Sequence, residues 1–333
     1  SSLGFVSGCI KETKFTWNFG DPSSGSSNII TTPFVNNNPN ASHTFSAPGT
    51  YTVTLTALNA CGSTTQTKTI CIEPLLTPTF TLNTTNGCAP LSVTATNTTN
   101  TTNSCNTPTY LWQVTYSAGF CGTSITPIPN QTSANASFNF VESGTYLIRL
   151  TMTNSCGTFN STQTVIVKKP PTVSIAPLTS FCGTATINPI ATVTNCAPSG
   201  STLTYAWSFP GGNPSTANTL NPGAINYPTS GSYPVSLIVT NECGASNTAM
   251  QTLVINQSPV ITNTNLSQTI CSGTATTPVN LTTNPSTATF SWTATATAGI
   301  SGFIPSGTTT TIPAQTISTT SNSVGTITYV ITP

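Results

Sequence analysis

The string GTYTVTLTALNACG at residues 49–62 returns as GTYLIRLTMTNSCG at 144–157 and as GSYPVSLIVTNECG at 231–244. A catalytic motif is needed once per site, whereas a string that recurs at domain-sized intervals is a building unit. Four tryptophans keep the same step: Trp17, Trp112, Trp207 and Trp292 are separated by 95, 95 and 85 residues. Periods near 90 residues exceed those of solenoid repeats and match whole domains. The chain therefore reads as a tandem array of four repeats, 1–74, 75–170, 171–257 and 258–333, the first truncated at its N-terminal side and the last at its C-terminal side.

Within each repeat the local pattern is that of a strand. Tyr51, Val53, Leu55 and Ala57 alternate with threonines, and the same face returns as Tyr146, Ile148, Leu150, Met152 and as Tyr233, Val235, Leu237, Val239. Alternation of period two buries one face of an antiparallel sheet and wets the other. Phe15, Trp17, Phe19 and their counterparts around Trp112 and Trp207 show the same period. Pro and Gly punctuate the intervening segments, and no helical stripe interrupts them. About seven short strands per repeat with a tryptophan midway predict an all-β, immunoglobulin-like sandwich. Trp17, Trp112, Trp207 and Trp292 then fall on strand C, in the core, and the recurring string is strand F. Its Tyr51, Tyr146 and Tyr233 are placed to form tyrosine-corner contacts. Short, proline-bearing junctions (IEPLLTP at 72–78, VKKPPTV at 167–173, INQSPVI at 255–261) restrict swivel and predict an elongated rod.

Composition narrows the function. Only six basic and five acidic residues occur in 333, so Thr, Ser and Asn carry solubility in place of charge. Nucleic-acid binding needs clustered Lys and Arg, and the sole adjacent basic pair, Lys168 and Lys169, sits at a junction. No run approaches the roughly 18 apolar residues of a membrane span. A glycosidase needs two placed carboxylates, but Glu12, Asp21, Glu73, Glu142 and Glu242 are scattered along the array. A Ser–His–Asp arrangement would have to use His43 and Asp21, and the expectation is that His43 sits beside Phe45 on a strand edge instead. Asp21 is the only Asp, too little for calcium, so neither a metal nor another cofactor is expected. Phe120 and Phe159 are the freer aromatic candidates for surface contact.

Eleven cysteines with no C-x-x-C spacing and one histidine indicate disulfides in an oxidising exterior, not metal ligation. Cys61, Cys156 and Cys243 each end an F string, while Cys9, Cys105 and Cys196 precede a tryptophan by 8, 7 and 11 residues, in the B–C loop. Strands B and F run in the same direction on opposite sheets, so those loops share one pole. The expected pairs are Cys9–Cys61, Cys105–Cys156 and Cys196–Cys243, with Cys88–Cys121 at the opposite pole of the second repeat. Cys71, Cys182 and Cys271 have no obvious mates.

The landmarks WNFGD at 17–21 and GTYTVTL at 49–55 resemble the PKD family, whose usual strings are W-D-F-G-D-G and G-x-Y-x-V-x-L. The third repeat offers WSFPGG at 207–212, while ISGF at 300–303 and ITYVITP at 327–333 resemble PKD-like repeats of secreted Bacteroidota proteins. The nearly uncharged, Thr/Asn-rich style is similar to that of the giant cell-surface adhesins of gliding Bacteroidota, of the SprB kind. That resemblance implies a non-catalytic stalk at the cell surface, outside the outer membrane, exported by type IX secretion components and held by a gliding or anchoring machinery. External polysaccharide or a solid substratum would be the distal partner. The alternative it leaves is a PKD-like spacer or polysaccharide-binding module of a secreted hydrolase.

Overall fold

The structure is a computed structural model that describes residues 13–33, 40–122 and 127–333. It is all-β apart from one short 3-10 segment, Pro22–Asn28. The chain divides into two compact units. The first holds residues 1–172 together with the loops 194–203 and 240–246, and the second holds 173–193, 204–239 and 247–333.

In the first unit, β1 (Lys14–Asn18), β2 (Ile29–Thr31), β3 (Gly49–Asn59) and β4 (Gly62–Ile72) form one sheet in the order β2-β1-β3-β4. The second repeat is a two-layer sandwich. One layer is β5 (Phe80–Leu82), β7 (Leu91–Asn97) and β9 (Ala136–Phe140). The other has the order β6-β11-β10-β8, from β6 (Asn86–Cys88), β8 (Thr109–Ala118), β10 (Gly144–Asn154) and β11 (Gly157–Lys168). The recurring string is the hub of its sheet: β10 pairs with β11 along its whole length and with β8 on its other edge, placing Leu150 opposite Trp112. Every second residue of β10 from Gly144 to Met152 is buried, as the alternation requires. Phe80, Val93, Phe138 and Phe140 from the first layer close over Trp112, Ile148, Leu150 and Val165 from the second.

In the second unit the third repeat repeats this plan. Phe181–Cys182, Ala249–Asn256, Gly231–Asn241, Thr204–Ser208 and Thr216–Ala217 lie in that order in one sheet. Trp207, Phe209, Tyr227, Leu237 and Leu253 are buried against one another's layers. The fourth repeat is built of shorter pieces, with Ser291–Ala296 between Ser306–Gly307 and Ile327–Thr332. Its core is Leu281, Phe290, Trp292 and Ile312.

The four tryptophans are not equivalent. Trp112, Trp207 and Trp292 are buried, whereas Trp17 is half-buried. Trp112 and Trp207 also share a polar anchor, each indole Nε1–H donating to a carbonyl, of Ser133 and Thr219 respectively, at 3.0 Å.

The tyrosine hydroxyls each donate to the carbonyl four residues upstream: Tyr51 to Ala47 at 2.7 Å, Tyr146 to Glu142 at 2.8 Å and Tyr233 to Thr229 at 3.0 Å. Burial, with smaller contributions from Tyr116 and Glu142, pushes the Tyr146 hydroxyl from its ordinary 10.0 up to about 12. A folded-state value above the unfolded one means the contribution is complete below about pH 10 and is lost as pH rises toward 12. Near-UV circular dichroism should therefore show a loosening step in that window. Tyr146→Phe should abolish the step while costing about 1 kcal/mol at neutral pH for the lost hydrogen bond. An unchanged alkaline step in the variant would assign it elsewhere.

Candidate functional site

The recurring string ends each time in Asn-x-Cys-Gly, and this ending is where the repeats are tied together. Asn59 pairs with Gly62 and Asn154 with Gly157 in tight hairpins. Gly62 and Gly157 both have φ of +137°, a conformation that a side chain at Cβ would strain. The Asn side-chain oxygen accepts the backbone N–H of the cysteine two residues on, at 2.9 Å in Cys61, 3.0 Å in Cys156 and 2.8 Å in Cys243. That bond fixes the amide and aims its Nδ2 backwards, toward the preceding junction.

Asn154 Nδ2 donates to the Pro74 carbonyl at 2.8 Å and to Glu73 Oε1 at 3.2 Å. The other oxygen of Glu73 accepts the Cys105 N–H at 3.1 Å. Asn241, almost wholly buried, does the same for the next junction, donating to the Lys169 carbonyl at 2.8 Å and to Asn195 Oδ1 at 3.1 Å. Lys169 N–H in turn donates to the Cys196 carbonyl at 2.9 Å. Lys168 and Lys169 are both paired, with Glu242 and Glu142 at 3.1 Å each.

The disulfides follow these contacts across the junctions, which corrects the expected pairing. Cys105 is bonded to Cys71 and not to Cys156, Cys243 to Cys88 and not to Cys196, and Cys196 to Cys121. The expected pairs Cys105–Cys156, Cys196–Cys243 and Cys88–Cys121 are thus absent. The reason is geometric. A cysteine can bond only a partner whose Cα lies about 4.4–6.8 Å away. The B–C and F–G loops face the end of the preceding repeat, which presents Cys71, Cys88 and Cys121 at Cα separations of 5.8, 5.5 and 5.0 Å. All three bonds lie within the first unit. Cys61 is disulfide-bonded, and Cys9, its expected mate, lies outside the described residues. Cys156, Cys182 and Cys271 are exposed thiols.

His43 and Asp21 do meet. Asp21 is fully buried and accepts from Ser23 Oγ at 2.6 Å, Ser46 Oγ at 2.8 Å and Ser46 N–H at 3.0 Å, with His43 Nε2 at 3.1 Å. The Ser23 hydroxyl above all, helped by Ser46 and His43 and opposed by burial, holds the carboxyl well below the usual carboxylate range. His43 also stacks on Phe19 at 4.4 Å and meets Phe45 edge-on at 4.8 Å, although its segment is a loop and not a strand edge. Both serine hydroxyls donate to the carboxylate and neither to the imidazole, so the cluster locks a loop in place and poises no nucleophile on the histidine. Phe159 packs against the second repeat's core, and Phe120 is half-buried. Among the described residues no group of three or more His, Cys, Asp or Glu could hold a metal ion, and no helix is long and apolar enough to cross a membrane.

Sequence reasoning missed Glu73, Asn154, Asn195 and Asn241. The signal available was the Asn two residues before each string-ending cysteine.

The fold and these corners define a tandem array of immunoglobulin-like sandwiches. Comparison with family models makes the class specific: PKD-domain models match residues 6–72 and 168–255, so the chain carries PKD domains in tandem. No curated protein matches it by sequence. Among solved structures, it is similar to the I-band fragment I67-I69 from titin, at 14% identity over 73% of this chain and 88% of that one, with a TM-score of 0.40. Extracellular domains 3-5 of Drosophila OTK match at 13% identity over 74% and 86%, with a TM-score of 0.26. The three N-terminal domains of the bacteriophage RB49 outer capsid protein Hoc match at 10% over 78% and 92%, with a TM-score of 0.29.

Proposed function

We propose that this chain is a non-catalytic stalk segment of a large secreted cell-surface adhesin, serving attachment and gliding. The observation that carries the reading is the covalent tie between successive repeats: each of the three disulfides joins one repeat to the loops of the next. A spacer that only separates two domains works with flexible linkers, whereas a chain under load benefits from junctions that cannot part. The disulfides fit an oxidising, extracellular setting. The scarcity of acidic residues and the single histidine, committed to a buried carboxylate, support a role without catalysis. On this reading the partners are a surface anchoring and gliding machinery, type IX secretion components, and external polysaccharide or a solid substratum.

The size and location of the parent polypeptide test this. An antibody raised against residues 75–257, used on blots of whole and protease-shaved cells, should detect a chain of thousands of residues that shaving removes. A soluble chain of under about a thousand residues bearing a hydrolase domain would replace the adhesin with a PKD-type spacer of a secreted enzyme.

A further inference from the structure

Cys88 and Cys182 occupy the same place in successive repeats. Each ends a short strand that runs parallel to its repeat's last strand, Cys88 opposite Lys168 and Cys182 opposite Asn256. The next N–H donates to that opposite residue's carbonyl in both, Ala89 to Lys168 and Gly183 to Asn256, at 2.8 Å each. Both therefore stand where the chain leaves one repeat for the next. Cys88 is bonded there to Cys243, in the Asn-x-Cys-Gly turn of the following repeat, while Cys182 is an exposed thiol.

We propose that Cys182 is the receiving half of the same inter-repeat disulfide, its partner being the F–G turn cysteine of the fourth repeat. The register says where that cysteine falls. Trp17 lies opposite Leu55 and Trp112 opposite Leu150, and the turn cysteines Cys61 and Cys156 come six residues after those leucines. Trp292 lies opposite Ile331, so the corresponding position is 337, in polypeptide that continues past Pro333. The other kind of tie, Cys121 with Cys196, is missing on both sides of this junction: the third repeat has no cysteine between Trp207 and Gly231, and the fourth has none between Cys271 and Trp292. Losing both halves of one tie while keeping Cys182 is what a junction held by a single disulfide requires.

The bond forms by exchange with the disulfide of an oxidising thiol–disulfide oxidoreductase. The turn thiolate attacks that disulfide to give a mixed disulfide, and the Cys182 thiolate then displaces the oxidoreductase sulfur. Two protein thiols are oxidised, one disulfide of the oxidoreductase is reduced to two thiols, and the two protons pass to it.

Peptide mapping of the native polypeptide, alkylated before digestion and kept unreduced, tests this. The expected result is a Cys182 peptide linked to a downstream peptide with its cysteine in an Asn-x-Cys-Gly context, the two separating on reduction. In a Cys182→Ser variant that turn cysteine should become alkylated where the parent shows no label. Recovery of Cys182 as a free alkylated thiol, or bonded to Cys156, Cys271 or any other cysteine, would overturn the proposal, as would a turn cysteine that stays unlabelled in the variant.

Discussion

Stretched from its two ends without reductant, the chain should lengthen between Cys71 and Cys243 to no more than about 60 Å of backbone, at ~3.3–3.6 Å per residue. With the disulfides reduced, the same stretch should reach about 600 Å. The difference follows from how the bonds overlap. Cys71–Cys105 closes a separation of 34 residues and Cys88–Cys243 one of 155, and the two loops share the 17 steps between Cys88 and Cys105. Load entering at Cys71 crosses to Cys105, runs back along the chain to Cys88 and crosses to Cys243. The alternative route, forward to Cys121, across to Cys196 and on to Cys243, is longer and stays slack. The second repeat and most of the third are thus shielded from being pulled out as thread, whatever their folding stability. Force–extension curves of single molecules, with handles at both termini, measure this directly, because the segments outside the staples contribute equally with and without reductant. Cys88→Ser should give the intermediate value, about 220 Å, since the slack route then carries the load. An oxidised chain that releases several hundred ångströms from this region would show that the staples do not form, and with them would go the main support for a load-bearing role.

The repeats were legible because their cause is local. Alternation in GTYLIRLTM needs only a pleated strand with one buried face, and the Gly-x-Tyr spacing suffices to predict a hydroxyl turned back on its own loop. The pairing of the cysteines was not, because it depends on what stands opposite a pole. The sequence shows that Cys105 and Cys156 share one end of a repeat, yet Glu73, Pro74 and Cys71 arrive there from the preceding segment. The turn amide illustrates the boundary between the two cases. Its bond to the cysteine N–H is local and could be read from Asn-x-Cys, whereas its second function, donating to Pro74 or Lys169, lies 80 and 72 residues away in sequence. His43 and Asp21 are a milder case: 22 residues apart, they meet because the loop that carries His43 and Ser46 folds onto the turn after Trp17.

A motif residue with one role in the pattern can still carry very different energies, and the tryptophans measure this. Trp112 is fully enclosed, with Phe80 edge-on at 5.0 Å from the opposite layer and its indole N–H satisfied by Ser133. Trp112→Ala should cost about 3–5 kcal/mol, because it removes the largest side chain of a closed core and leaves both a cavity and an unpaired carbonyl. Trp17 has the same neighbours in sequence but is only half-buried, in a repeat whose described strands form one sheet. Trp17→Ala should cost less than half as much, since the area returned to water is smaller and solvent can fill the gap. A chain of several domains has no single unfolding free energy, so the readout must be local. Amide exchange at Ile148–Met152 should speed up by roughly two to three orders of magnitude in Trp112→Ala, at about 1.4 kcal/mol per tenfold. Exchange at Val53–Ala57 should rise by about tenfold or less in Trp17→Ala. Equal losses at the two sites would mean that the first repeat is closed as tightly as the second. A small loss at both would mean that the cross-junction disulfides, and not the sandwich cores, set the stability of the array.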